Sequence, residues 1–218
     1  MKKTVFAMAV ATLLGTSAVM AADVTGPTPY NWSGVYLGIN GGFGFGSNNW
    51  NHDSGIPSDD GSFSGALGGV TLGANWQTSG VVLGIEGDAD IAGINARDPQ
   101  GAFGCGGGFC DTSVNSLATA RLRVGYDIGS GAMIFATGGL AGGHVEAHND
   151  LGADYTSATK IGWTAGAGLE AALSSNVSVK LEGLYVDLGR LDGFPACATN
   201  CYTDVHFAVA RVGLNYKF

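Results

Sequence analysis

Acidic and basic residues are scarce in this chain, and many of them stand two positions apart. Charged residues make up only 13% of the sequence. Glu86, Asp88 and Asp90 alternate with uncharged residues, as do Arg121 and Arg123. Side chains two apart share one face of a strand, so opposite charges on neighbouring strands can pair. We expect Glu86, Asp88 and Asp90 to face Arg121 and Arg123, and Glu170 to meet Lys180. The pattern predicts an interior network, or alternatively a narrow ion path, formed by Glu86, Asp88, Asp90, Arg121, Arg123, Lys160, Glu170, Lys180, Glu182 and Arg211.

Carboxylates beside arginines normally stay ionised, which suits neither general acid nor general base chemistry at neutral pH. We therefore predict no catalytic residue and no cofactor. His144, Glu146 and His148 also alternate, and an extended strand would place all three within reach of a transition metal. The alternative interpretation is the solvated base of a loop.

Four cysteines occur as two short-range pairs. Export would make disulfides plausible, and three pairings are open. The pairing Cys105 to Cys110 and Cys197 to Cys201 needs no assumption about loop packing, so we expect it. A zinc site is the alternative, although a Cys-x4-Cys spacing is not specific for zinc.

Period-two alternation of apolar residues predicts the elements that carry these groups. Eight segments of about ten residues each, the length of a transmembrane strand, show it, beginning with Val35, Leu37 and Ile39 on one face. The fifth is apolar or glycine on both faces, and we place Ile134, Ala136 and Leu140 outward. Tight turns are expected near 78–80, 129–131 and 174–176, and long polar connections near 46–62, 93–115, 144–157 and 189–204.

The N-terminus predicts export. Lys2 and Lys3 precede a short apolar run that ends before Val19 and Ala21, which suit a signal peptidase site. We expect a signal peptide over 1–21, a periplasmic leader over 22–32 and a barrel over 33–218. The formal charge of −8 argues against nucleic acid as a partner. No later stretch is apolar for long enough to form a transmembrane helix.

Alternation alone fits both a soluble barrel with an apolar interior and a membrane barrel with an apolar exterior. The export signal, the alternation of short turns with long loops, and aromatic residues near segment ends favour the membrane barrel. We therefore predict an all-β, eight-stranded antiparallel transmembrane barrel in the outer membrane of a Gram-negative bacterium, with short periplasmic turns and long extracellular loops.

The last strand alternates Val212, Leu214, Tyr216 and Phe218, which resembles the recognition strand of outer-membrane assembly substrates. Together with the segments 31–38 and 136–141, it makes the chain resemble small alphaproteobacterial outer-membrane surface antigens and porin-like proteins, relatives of opacity-type and OmpA-type barrels. The resemblance implies envelope roles that are structural, surface-interacting, pore-forming or, in some members, haem-binding.

Three functions are weighed. The first is a non-enzymatic, closed barrel that supports envelope integrity and presents loops to host or surface ligands, with outer-membrane lipid and the assembly machinery as partners. The second is a small porin with a narrow channel. The third is a lipid-modifying enzyme, which needs an apolar pocket, whereas the predicted lumen is polar and charged.

Overall fold

The computed structural model describes residues 30–52, 60–97, 110–149, 155–192 and 201–218. The predicted signal peptide and its cleavage site lie outside the described residues. Eight strands account for almost all of the described chain: β1 (Gly34–His52), β2 (Asp60–Thr78), β3 (Val81–Arg97), β4 (Cys110–Gly129), β5 (Ala132–Asn149), β6 (Tyr155–Ala172), β7 (Val177–Asp192) and β8 (Cys201–Lys217).

The strands close into a single antiparallel barrel. Each strand pairs with its neighbours in sequence, and β1 pairs with β8 to complete the ring. The predicted eight-stranded antiparallel barrel is therefore confirmed. Within the described ranges, no helix is long and apolar enough to cross a membrane.

Tight turns join strands at one end of the barrel, here called the turn end. Ser79 and Gly80 have φ values of 50° and 85°, and Ser130 and Gly131 have 55° and 72°. Two successive positive φ values are typical of type I′ turns, whose twist matches that of the flanking strands. The third connection runs over residues 173–176. The opposite end, where β1, β3, β5 and β7 end, is the loop end.

The outer wall is apolar, as the alternation predicted. Val35, Leu37 and Ile39 on β1 are exposed, and so are Ile134 and Leu140 on β5, which resolves the ambiguous fifth segment. From Val35 to Phe45, ten rises of roughly 3.3 Å tilted by about 45° span about 23 Å. This height matches the apolar band of outer-membrane barrels.

The strands are longer than we predicted, and the predicted long loops are wrong in extent. The strands contain 16 to 20 residues each, rather than about ten. Above the apolar band, β1 continues to His52 and β2 starts at Asp60, inside the segment expected to be a loop. Outward residues there, such as Ser64 and Asn95, are polar and exposed. The backbone keeps its sheet pairing, so loss of the apolar face did not end the strands.

Candidate functional site

The middle of the barrel interior holds a layer of charge. Five acids and four bases lie there, each at most 6% exposed: Glu86, Asp88, Asp90, Glu170, Glu182, Arg121, Arg123, Lys180 and Arg211. They come from β3, β4, β6, β7 and β8. We call this set the charged layer. Period-two alternation aims these side chains inward at similar height, where the wall keeps them from water.

Arg121 is the most connected cation of the charged layer. It donates to two carboxylates on β3, those of Glu86 and, at 2.6 Å, of Asp88. It also reaches across the interior to Glu182 on β7 at 2.7 Å. One guanidinium therefore neutralises carboxylates on two separated strands, which ties opposite walls of the barrel together.

Arg211 forms a second junction. Its guanidinium lies 3.0 Å from Asp88, 2.7 Å from Glu182 and 3.4 Å from Asp90. Asp88 also accepts from the hydroxyls of Thr71 at 2.8 Å and Thr119 at 2.6 Å. Charged pairs that are also hydrogen-bonded in this way can offset the cost of burial.

The remaining charges pair across the interior rather than along the sheet. Glu170 and Lys180 are register partners, and we expected them to meet. Instead Lys180 donates to Glu86 at 2.7 Å, whereas Glu170 accepts from Arg123. Long side chains in a narrow barrel can reach past their own neighbours, so register alone does not decide the pairing.

Lys160 is a correction to the predicted network. It is partly exposed at the loop end, and its ammonium donates to the backbone oxygen of Arg190 at 2.8 Å. It lies on β6 well above Glu170, so it is outside the charged layer. The alternation along β6 predicted which face of the strand carries Lys160, but not the height of this residue along the barrel axis.

An apolar layer lies above the charged layer, towards the loop end. It comprises Leu67, Ala92, Ile94, Val114, Leu117, Ala141, Val145, Leu184, Val186, Leu188, Val205, Phe207 and Val209. The expectation of a lumen that is polar and charged throughout is therefore wrong. The sequence did carry a signal, since Val205, Phe207 and Val209 share the parity of Arg211 rather than of the outward Val212.

A second, smaller apolar layer closes the turn end. Trp32 is 2% exposed and packs with Val82 and Met133, while Tyr30 meets its ring edge-on at 4.6 Å. The Trp32 amide donates to the side chain of Gln77 at 2.8 Å. The predicted periplasmic leader ended at residue 32, yet this residue forms part of the barrel interior.

The predicted metal ligands His144 and Glu146 lie on the outer face near the loop end. Their side chains are 3.5 Å apart and partly exposed. The side chain of His148 lies outside the described residues. Over the described part of the chain, there is no group of three or more His, Cys, Asp or Glu side chains that could hold a metal ion.

The predicted disulfides fall on residues that the structure does not describe. Cys105 and Cys197 lie outside the described ranges, and only the backbone of Cys110 and Cys201 is described, at the start of β4 and β8. The pairing remains a prediction.

Val212, Leu214, Tyr216 and Phe218 all point outward and are exposed. Their role in assembly likewise remains a prediction.

The three layers together decide what the interior can do. An ion crossing the barrel would meet close-packed apolar side chains before and after the charged layer, where it would lose its hydration. The arrangement therefore favours a closed barrel over an ion path.

Known proteins support this architecture. Residues 9–218 match the family model described as outer membrane protein beta-barrel domain. The chain is 37% identical to the 31 kDa outer-membrane immunogenic protein of Brucella melitensis, over 99% of this chain and 100% of that one. It is 32% identical to the 22 kDa outer membrane protein of Rhizobium leguminosarum, over 74% of this chain and 67% of that one.

Among solved structures, OprG from Pseudomonas aeruginosa matches with a TM-score of 0.50 and 15% identity, over 85% of this chain and 96% of that one. This likeness concerns the fold alone.

Proposed function

We propose that this chain, which belongs to the outer membrane protein beta-barrel domain family, is a closed, non-enzymatic barrel. In this proposal it stiffens the outer membrane and presents its loop end to surface partners. Its location is the outer membrane, as for its relatives. The single observation that carries the closed state is the charged layer sealed on both sides by apolar side chains.

The loop end is the extracellular side in this proposal, because barrels of this class have short periplasmic turns and longer extracellular loops. The strands rise beyond the apolar band there, so β1 adds roughly seven residues, or about 16 Å at a tilt near 45°, above the membrane surface. This rim would hold the four loop-end connections away from the lipid headgroups, where host or surface ligands can reach them. Signal peptide cleavage near Ala21 and recognition of the last strand by the assembly machinery belong to the same proposal.

A non-enzymatic role is supported by the packing of the interior. An acyl-chain enzyme needs an empty apolar pocket beside its nucleophile. The apolar layer is the correct environment for lipid, but its side chains fill the space, with Ile94, Leu188 and Phe207 at most 1% exposed. They also supply no nucleophile.

Planar-bilayer recording tests the closed state. The purified wild-type barrel should give no sustained conductance steps at moderate voltage. Trp32→Ala, which empties the layer at the turn end, should still conduct little because the layer at the loop end remains. A steady current through the wild-type protein, with single-channel steps, would overturn the proposal and make the small porin the better description.

Replacing each of the connections 53–59, 98–109, 150–154 and 193–200 in turn by a short glycine-containing turn tests the surface role. Binding of the bacterium to host cells or abiotic surfaces should fall for at least one replacement, at unchanged surface abundance. Unchanged binding for all four replacements and for a deletion of the whole gene would refute a role in surface contact.

A further inference from the structure

The charged layer is not electrically balanced. Among the buried Asp, Glu, Lys and Arg side chains that the structure describes, five are acids and four are bases. With all of them ionised, the layer carries one uncompensated negative charge. Apolar layers above and below separate it from bulk water. A net charge in such surroundings is costly unless a counter-charge accompanies it.

Asp90 is where this excess lies. Its side chain is fully buried, and Arg211 approaches only one of its oxygens, Oδ2, at 3.4 Å. The other oxygen, Oδ1, has no hydrogen-bond partner. The other four acids have closer partners: Arg121 contacts Glu86, Asp88 and Glu182, and Arg123 contacts Glu170.

A second unpartnered oxygen belongs to the neighbouring side chain. Asn40 is 9% exposed, and its Nδ2 donates to Thr71 at 3.2 Å while its Oδ1 has no partner. Two acceptor oxygens thus lie without a hydrogen-bond donor on buried side chains of β1 and β3.

Gly69 lies between these two side chains, on the strand that separates them. It is the register partner of Asn40 on β1 and of Asp90 on β3, so it lies between them on β2. A Cβ at this position would lie 2.5 Å from Asp90 Oδ1. The missing side chain leaves a notch over β2 that Asp90 Oδ1 enters and that Asn40 flanks from β1. We call it the Gly69 notch.

We propose that the Gly69 notch binds one monovalent metal cation through Asp90 Oδ1 and Asn40 Oδ1. Carboxylate and amide oxygens are suitable ligands for hard cations. One bound Na⁺ would balance the charged layer and satisfy both oxygens together. A bridging water would satisfy the oxygens but leave the charge, and a proton on Asp90 would remove the charge without a metal.

Folding the full-length mature barrel in detergent with different salts tests the proposal. At equal ionic strength and pH, the temperature at which the folded form is lost on gels should be higher in NaCl than in choline chloride. It should rise with the logarithm of the Na⁺ concentration, as expected for one ion that binds only the folded state.

Asp90→Asn removes the excess charge, so the difference between the two salts should disappear, whatever the variant's own stability. Asn40→Val keeps the charge and removes the amide oxygen, so more Na⁺ should be needed for the same rise. Asp204→Asn is the matched control, because this acid is partly exposed on β8 outside the layer, and it should keep the wild-type salt response.

Anomalous diffraction from wild-type crystals grown with Tl⁺ gives a second readout that does not need any variant to fold. A peak at Asp90 and Asn40 is expected. Density for a light atom without anomalous signal would show a water, and no density together with equal stability in both salts would indicate a proton. Either result, or a Na⁺ response that Asp90→Asn retains, would overturn the proposal.

Discussion

Removal of the buried Arg121 should destabilise the barrel more than removal of the partly exposed Lys160. Arg121→Met deletes contacts to Glu86, Asp88 and Glu182 at once. The layer would then hold five buried acids and three bases. Removing one partner of a buried pair typically costs 3–5 kcal/mol, because the remaining charge is stranded. We expect a loss of about 4 kcal/mol in the free energy of unfolding.

Adding Asp88→Asn to Arg121→Met removes one of the stranded acids. The double variant should therefore recover roughly 1–3 kcal/mol, which is the usual coupling between charged groups in contact. Urea unfolding in lipid vesicles, followed by tryptophan fluorescence, measures these free energies. Lys160→Met is the matched control, since this partly exposed lysine should cost less than about 1 kcal/mol.

Strictly additive losses for Arg121→Met and Asp88→Asn would refute the reasoning. They would mean that each residue is stabilised independently, for example by water that enters the layer. Equal losses for Arg121→Met and Lys160→Met would refute it as well, because burial would then have no influence on the cost.

Two further predictions concern the wall. Leu122→Arg faces mid-bilayer lipid and should cost about 2–4 kcal/mol in vesicle refolding. Ser64→Arg, on the outer face at the edge of the apolar band beside Phe45, should cost less than about 1 kcal/mol; equal costs would mean that the band is misplaced. Gly162→Ala should destabilise the barrel, because its Cβ would lie 1.8 Å from the Asp187 carbonyl oxygen. Gly183→Ala meets nothing within 4 Å, so it should be neutral or stabilising by up to about 1 kcal/mol. A Gly162→Ala barrel that unfolds on heated gels at a higher temperature than Gly183→Ala would contradict this geometry.

The outer face of the barrel was predictable because the lipid imposes a strict rule on it. Leu83, Leu122 and Leu181 had to face outward once their polar neighbours faced inward, and all three are exposed. The turns were predictable for a similar reason. Pairs such as Ser79-Gly80 offer the positive φ values that a two-residue hairpin requires.

Pairing inside the barrel was only partly predictable. Sequence register identifies neighbours on adjacent strands, which found Glu86 opposite Arg121. It missed Arg121 with Glu182, because β4 and β7 are not adjacent, and it wrongly favoured Glu170 with Lys180. A side chain as long as arginine spans several ångströms of interior, so its partner depends on the width of the barrel as well as on register.

The apolar layer at the loop end was missed because the phase of the alternation reverses along the strands. Within the bilayer the apolar face must point outward, as Ile91 does. Register shifts occur between Ile91 and Ile94 on β3, between Val114 and Ser116 on β4, and between Asp187 and Gly189 on β7. On β3 the inward face runs from Asp90 through Ala92 to Ile94, so the side chains keep their parity while the apolar residues change from the outer to the inner face.

This reversal follows from the change of solvent. Above the membrane, the outer face meets water, so the hydrophobic effect drives apolar side chains into the barrel, as it does in soluble barrels. The soluble and the membrane interpretations of alternation therefore hold at different heights of the same strands. A single phase applied to a whole strand cannot describe both, and it turns the upper strand into an apparent loop. On β3 the change of phase marks where the outer face leaves the apolar band, because Ile91 is the last exposed apolar side chain and the exposed Asn95 follows beyond Gly93.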